Sequence, residues 1–132
     1  MMSKYNINYP KICTDYEQSK MLFKHLSEKT ADVSWTSIYD ENHMMSDFRM
    51  DLVPASLNPY KHVPAWSLAC LVSLLRDNGF VTTFRKDGSV CCSKLGEDFV
   101  YRNETSTPME FVDSVFGLVL RLLQKKLLIT TK

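Results

Sequence analysis

The chain has 132 residues, of which 45% are hydrophobic and 23% are charged, a composition typical of a globular protein and unlike a disordered one. Sixteen Lys and Arg residues against fifteen Asp and Glu leave a formal net charge of +1, which argues against a dedicated nucleic-acid-binding protein. A chain of this length normally forms one domain, so we expect residues 1–132 to share one fold.

The sequence shows no targeting or membrane segment. The N-terminus contains no apolar run, and no stretch approaches the roughly 20 apolar residues that a membrane-spanning helix needs. We therefore expect a cytoplasmic protein without a membrane partner. In that compartment the four cysteines are expected to be reduced.

The first third of the chain predicts one helix and one strand. Residues 1–12 form a lead-in, and Thr14-Asp-Tyr-Glu17 matches a capping box, so a helix is expected from there to about Ser27. Val33 to Tyr39 alternates loosely and is rich in β-branched and aromatic residues, which favours a strand.

Residues 40–65 have no clean periodicity. Pro54, Pro59 and Pro64 recur every five residues, and each removes a backbone donor and disfavours helix in the residue before it. We interpret 40–65 as an irregular, proline-braced arm that lies on the domain surface.

The clearest helix signal follows this arm. Apolar residues at helical spacing run from Ser67 to Arg76, and Asn78-Gly79 supplies a left-handed stop. The apolar positions are Leu68, Leu71, Val72 and Leu75.

Residues 79–103 predict three short strands in an antiparallel meander. The strands are expected over 79–85, 89–93 and 98–103. Asp87-Gly88 is the strongest turn dipeptide in the chain and predicts a two-residue hairpin loop.

The last predicted element is a helix over 108–126. Thr107-Pro-Met-Glu110 repeats the capping-box pattern, with Pro at the first helical position. Apolar residues surround most of this helix, which predicts that it is sandwiched between a sheet and another helix or lies in a subunit interface. The complete prediction is an α+β fold with three helices packed on a small antiparallel sheet of three to four strands.

Three blocks of sequence carry a resemblance. They are 14–20 with 30–35, the segment Val63-Pro-Ala-Trp-Ser-Leu-Ala69, and 107–114 leading into 120–123. Together they resemble a family of small uncharacterised proteins from gut Bacteroidales and their phages or mobile elements. The resemblance implies a motif before an aliphatic helix, then a hairpin, then a helix that starts with proline. It implies no chemistry, because the family has no established activity.

Reactive residues do not form a recognisable catalytic, cofactor or metal motif. The cysteines contain no C-x-x-C pair, and we expect Cys70 and one of Cys91 and Cys92 to pack in the core. No nucleophile elbow or phosphate-binding loop occurs. Asp40, Glu41 and His43 are close enough in sequence to share a metal ion in a loop; a solvated acidic loop is the favoured interpretation, and a small-molecule enzyme built on these residues is an alternative.

A second alternative is weak nucleic-acid binding through the hairpin face of residues 80–102. Aromatic side chains alternate there with cations, among them Arg85 and Lys86, and such a face stacks bases and holds phosphates. The remaining members are Phe80, Phe84, Lys94, Phe99, Tyr101 and Arg102. The competing interpretation is that the aromatic rings pack under the helices while the cations are solvated.

The leading hypothesis is a non-enzymatic cytosolic interaction or accessory protein. It predicts a protein partner or a homodimer that uses the final helix or the proline arm. Trp66 and Phe116, together with Arg85 and Lys86, are the candidate interaction residues. Packing in the core is the competing role for Trp66.

Overall fold

The computed structural model of the protein describes residues 11–98, 100–103 and 110–129. Within these ranges there are three α-helices: α1 (Tyr16–Phe23), α2 (Leu68–Asp77) and α3 (Phe111–Gln124). The strands are β1 (Val33–Tyr39), β2 (Met45–Asp51), β3 (His62–Ala65), β4 (Phe80–Phe84), β5 (Val90–Lys94) and β6 (Val100–Asn103). They form two three-stranded antiparallel sheets, in the orders β2-β1-β3 and β4-β5-β6. The predicted α+β class with three helices and a meander is confirmed.

The N-cap of helix α1 lies one residue later than predicted. Asp15, in place of Thr14, caps the helix by accepting from Gln18 N, while the Gln18 side chain accepts from the backbone of Asp15. Thr14 is buried instead, where its hydroxyl lies 2.8 Å from Ser19 Oγ and accepts from Trp66 N at 3.1 Å. Thr14 does not cap the helix because its hydroxyl is used in the contacts with Ser19 and Trp66. Of the predicted lead-in, residues 1–10 lie outside the described residues.

The prediction of an irregular arm over 40–65 is wrong for two of its segments. Met45–Asp51 forms β2 and His62–Ala65 forms β3, both paired with β1. Proline does not prevent this pairing, because Pro64 lies in a strand at the edge of its sheet, opposite Ser34 of β1. The segment between the two strands contains a single 3-10 turn at Ala55–Leu57.

Helix α2 and the second sheet follow the prediction closely. Ser67 caps α2 by accepting from Cys70 N, and Gly79 ends it with φ +86°. The hairpin loop differs: Arg85 N donates to the Ser89 carbonyl at 2.9 Å, which leaves residues 86–88 as the loop, and of these only Gly88 has a positive φ, 93°. The loop therefore has a three-residue form instead of a two-residue primed turn.

Helix α3 is enclosed between the second sheet and the other helices. Val115, Leu118 and Leu122 are fully buried in the main core with Trp66, and the Ser114 hydroxyl donates to the Gly88 carbonyl. The predicted capping residues Thr107 and Pro108 lie outside the described residues. Of the two predicted locations for this helix, the structure shows the one between a sheet and another helix.

Candidate protein-binding surface

Trp66 and Phe116 do not form an exposed patch. Trp66 is 0% exposed, and its indole Nε1 donates to Thr30 Oγ1 at 3.0 Å. Phe116 is half-buried and packs against the main core. Trp66 therefore cannot contact a partner directly, and its packing role is the one the structure shows.

The hairpin of the second sheet exposes its cations, whereas its aromatic rings pack toward the helices, with Phe84 still 40% exposed at the end of β4. Arg85 and Lys86 are exposed at the loop. Phe80 is 4% exposed and packs edge-on against Tyr101, with ring centroids 6.0 Å apart, on the side of the sheet that faces the helices. Phe84 packs in the same way against Phe111 of α3, at 5.0 Å.

The open face of this sheet therefore lacks a stacking platform among the described residues. The strand register places Val81, Thr83, Ser93 and Val100 on that face. Phe99, which was part of the predicted nucleic-acid surface, lies outside the described residues.

Asp40, Glu41 and His43 belong to the turn that joins β1 to β2. Asp40 Oδ1 accepts from Asn42 N at 2.9 Å and from Met44 N at 3.0 Å, so this carboxylate holds the turn. All three side chains are exposed. Across the part of the chain that the structure describes, no group of three or more His, Cys, Asp or Glu residues is arranged to hold a metal ion.

Three of the four cysteines have thiols that stay protonated at neutral pH. Burial raises the pKa of Cys13 and of Cys92 to about 11, and that of Cys70 to about 12. A thiol is a poor nucleophile until it ionises. Cys70 and Cys92 pack in or against the core, as predicted.

An exposed aromatic and methionine surface lies on the β1–β2 hairpin, and we call it the hairpin surface. Its members are the half-buried Tyr16 and the exposed Tyr39, Met45 and Phe48, whose exposed fractions are 40%, 47% and 38%. The Tyr16 and Phe48 rings stack with centroids 4.5 Å apart, and Tyr16 Oη lies 3.7 Å from Met45 Sδ. Tyr39 lies opposite Met45 in the strand register, so the four side chains are neighbours in one patch.

The hairpin surface is held rigidly from beneath. Trp35 of β1 meets Phe48 edge-on at 5.3 Å, and the Trp35 Nε1 donates to the Thr14 carbonyl at 2.9 Å. Tyr16 is fixed by the cap of α1, which Lys11 ties to α3 by ion pairs to Asp15 at 3.3 Å and Asp113 at 2.6 Å. Burial opposes the charge of Lys11, but these carboxylates outweigh it and raise its pKa.

An apolar cleft of about 250 Å³ opens beside the hairpin surface. Cys13, Trp35 and Met50 form its floor, and Lys11 with Asp15 forms its charged rim. The cleft extends the apolar area that a partner would cover. Aromatic and methionine side chains are enriched in protein interfaces, where thioethers adapt to irregular surfaces.

The opposite face of the first sheet is polar and is covered by the loop before β3. Asn58 Nδ2 donates to Ser34 Oγ and Thr36 Oγ1, both at 2.9 Å, and Thr36 Oγ1 in turn donates to the Asp51 carboxylate. The hydrogen bond from Thr36, joined by the bond from Arg49, lowers the pKa of Asp51. A second cleft, of about 270 Å³, lies here between Arg49 and Tyr60.

Comparison with protein-family models, with curated proteins and with solved structures finds no match for the chain. The resemblance to the Bacteroidales family therefore stays a prediction. Among the described residues, no helix has the length and apolar character needed to span a membrane.

Sequence reasoning missed the hairpin surface because its members come from separate elements. Tyr16 lies in α1, Tyr39 at the end of β1, and Met45 and Phe48 in a strand that was not predicted. The available signal was compositional: Tyr39, Met44, Met45 and Phe48 lie within ten residues that are otherwise polar.

Proposed function

We propose that the protein is a non-enzymatic, cytosolic interaction protein that binds a protein partner through the hairpin surface. The observation that carries the proposal is the stacked Tyr16–Phe48 pair, in which Tyr16 is half-buried and Phe48 is exposed beside Met45, with Trp35 packed against Phe48 from below. An exposed aromatic patch on a rigid base suits protein binding, because little conformational entropy is lost when it is covered. The unpaired state of all four cysteines suits a reducing compartment.

The titratable groups at the two clefts favour binding over catalysis. A general acid or base works best when its pKa lies near the working pH. At the apolar cleft, Lys11 and Cys13 both have raised pKa values, and at the polar cleft the pKa of Asp51 is lowered. Each of these shifts moves the pKa of the group further from pH 7.

The hairpin surface is a better docking site than the other predicted surfaces. The apolar sides of α3 are already covered by the second sheet and by α2. Beside the exposed cations Arg85 and Lys86, the ring of Phe84 is partly covered by Phe111 and does not stack with another exposed ring among the described residues. The part of the predicted arm that becomes β2 does supply exposed apolar side chains.

The test compares two double variants in affinity capture from a nuclease-treated extract of cells that express the gene. Tyr39→Ser with Met45→Ser removes apolar area from the hairpin surface. The matched control, Val81→Ser with Leu95→Ser, removes apolar side chains that are more exposed, 49% and 75%, from β4 and from the turn after β5.

We expect wild type and the control to retain a common protein that the hairpin variant loses. The purified partner should bind the hairpin variant at least about tenfold more weakly, which corresponds to roughly 1.4 kcal/mol. If no protein discriminates between the two double variants, the proposal is wrong. Recovery that depends on omitting the nuclease would favour the nucleic-acid alternative.

A further inference from the structure

Strand β2 lies at an open edge of the first sheet. In the described part of the chain it pairs with β1 alone, and the order β2-β1-β3 leaves its other side uncovered. The opposite edge is partly protected, because Thr14 N donates to the Trp66 carbonyl and Cys13 bridges to Ser67, just beyond β3. An uncovered strand edge offers backbone donors and acceptors to another strand.

The backbone of Phe48 points outward at this edge. Ser37 N donates to the Lys61 carbonyl, so Ser37 directs its backbone groups toward the β3 side. Since neighbouring residues of a strand alternate, Thr36 directs its groups toward β2, where it is paired with Arg49. It follows that Arg49 faces β1 and that Phe48, one residue away, faces the open edge.

The side chain of Asp47 covers this outward donor. Asp47 Oδ1 accepts from Phe48 N at 2.8 Å, a bond between adjacent residues. The central N–H of the edge is therefore satisfied by a single exposed carboxylate instead of by a neighbouring strand. Such a bond can be exchanged for a strand-to-strand bond at little cost.

The sequence of β2 is complementary to itself about Phe48. The strand reads Met45-Ser-Asp-Phe-Arg-Met-Asp51. When two copies run antiparallel with Phe48 opposite Phe48, each Asp47 lies opposite the Arg49 of the other copy. Directly opposite side chains share one face of the sheet, so both charge pairs form on the same side.

We propose that a second copy of this chain occupies the β2 edge, pairing antiparallel about Phe48 to form a continuous six-stranded sheet across a two-fold axis. Phe48 N–H of each copy donates to the Phe48 carbonyl of the other, and Asp47 turns from this N–H to the opposite Arg49. Arg49 bonds Asp51 through Nε at 3.1 Å, and a guanidinium carries further N–H groups for Asp47.

The arrangement joins two hairpin surfaces into one. Phe48 lies on the sheet face that Tyr16 and Trp35 contact, so the two Phe48 rings become neighbours on that face. The inference deepens the proposed function, on which it rests for the role of the hairpin as a binding element. A strand edge of seven residues buries less surface than a standard interface, so we expect a reversible dimer of roughly micromolar affinity.

The test is a charge swap followed by sedimentation equilibrium, from about 1 µM to about 1 mM protein. Arg49→Asp places acid opposite acid at both pairs, and Asp47→Arg places base opposite base. Each single variant should raise the dissociation constant roughly tenfold or more. The double variant, Asp47→Arg with Arg49→Asp, should restore the dimer.

Mixing supplies the control for misfolding. An equimolar mixture of the two single variants again places acid opposite base at both pairs. A heterodimer should therefore form at protein concentrations at which neither variant dimerises alone. Circular dichroism of each variant confirms its fold. The proposal is overturned if wild type stays monomeric over the range, if the single variants dimerise like wild type, or if neither the mixture nor the double variant restores association.

Failure of this proposal and failure of the proposed function give different results. If wild type is monomeric but captures a protein that the Tyr39→Ser, Met45→Ser variant does not capture, the dimer proposal is wrong and the proposed function is supported. If wild type forms a charge-sensitive dimer but captures the same proteins as the hairpin variant, the dimer proposal is supported and the proposed function is wrong.

Discussion

Asn58 is the side chain on which the polar face of the first sheet most depends. It is 8% exposed, and its Nδ2 donates to both Ser34 Oγ and Thr36 Oγ1. Its Oδ1 accepts from Tyr60 N at 2.9 Å. One amide therefore connects β1 to the loop that covers it, and Asn58→Ala removes all three hydrogen bonds at once.

The expected loss follows from those three bonds. A buried hydrogen bond contributes about 0.5 to 1.5 kcal/mol, and more is lost when a partner stays buried and unsatisfied. Ser34 and Thr36 each keep one bond, to the Val53 carbonyl and the Asp51 carboxylate. We therefore expect Asn58→Ala to lower the free energy of unfolding by about 2 to 4 kcal/mol, equivalent to a fall in Tm of roughly 10 °C.

Urea unfolding monitored by circular dichroism measures the loss. Ser56→Ala, an exposed change in the same loop, is the matched control and should lie within about 0.5 kcal/mol of wild type. An Asn58→Ala variant as stable as this control would refute the reasoning, since the loop would then be held by contacts other than the amide.

Three further predictions concern single groups. Trp66→Phe should cost about 1 to 3 kcal/mol in urea unfolding, because it removes both buried ring volume and the bond to Thr30; a neutral effect would contradict the packing role. Native protein treated with iodoacetamide near neutral pH should be modified first at Cys91, which lies on the open face of the second sheet opposite Thr83, whereas burial raises the pKa of the other three thiols; mass spectrometry showing early modification at Cys70 would count against this. Asp51 has a folded pKa below its ordinary value of 3.8, so its contribution to stability is present above that pH and lost as the pH falls through the folded pKa. Thr36→Val, which removes the main cause of the shift, should therefore flatten the loss of stability on acidification, and an unchanged pH profile would disprove it.

The second half of the fold was predictable because its signals are local and agree with one another. The helical spacing of Leu68, Leu71 and Leu75 coincides with the cap at Ser67 and the stop at Gly79. The strands of the meander then follow one another with short loops, so each pairs with its neighbour in sequence. Here the local sequence pattern, the turn residues and the order of the strands all indicate the same fold.

The first sheet was only partly predictable because its strands have contradictory or weak patterns. In β1, buried residues occur on both faces, since Val33 faces an apolar cluster while Ser34 and Thr36 face the polar network. In β3, proline suggested an irregular chain, although an edge position tolerates it. The cap of α1 was misplaced for a related reason, since only the tertiary structure shows that Thr14 bonds Trp66.

The exposure of β2 explains why sequence reasoning did not predict this strand, and it is also the basis of the proposal for its edge. Periodicity identifies a strand when one face is buried, and Met45 to Arg49 are exposed on both faces. Within one chain, the side chains of β2 bury little surface. The strand nevertheless contains aromatic and methionine side chains, and it has a pair of opposite charges placed symmetrically about Phe48. A second copy supplies the missing neighbour for both the backbone and the charges. Among the described strands, β2 is therefore the one for which we expect the neighbouring strand to come from a second copy.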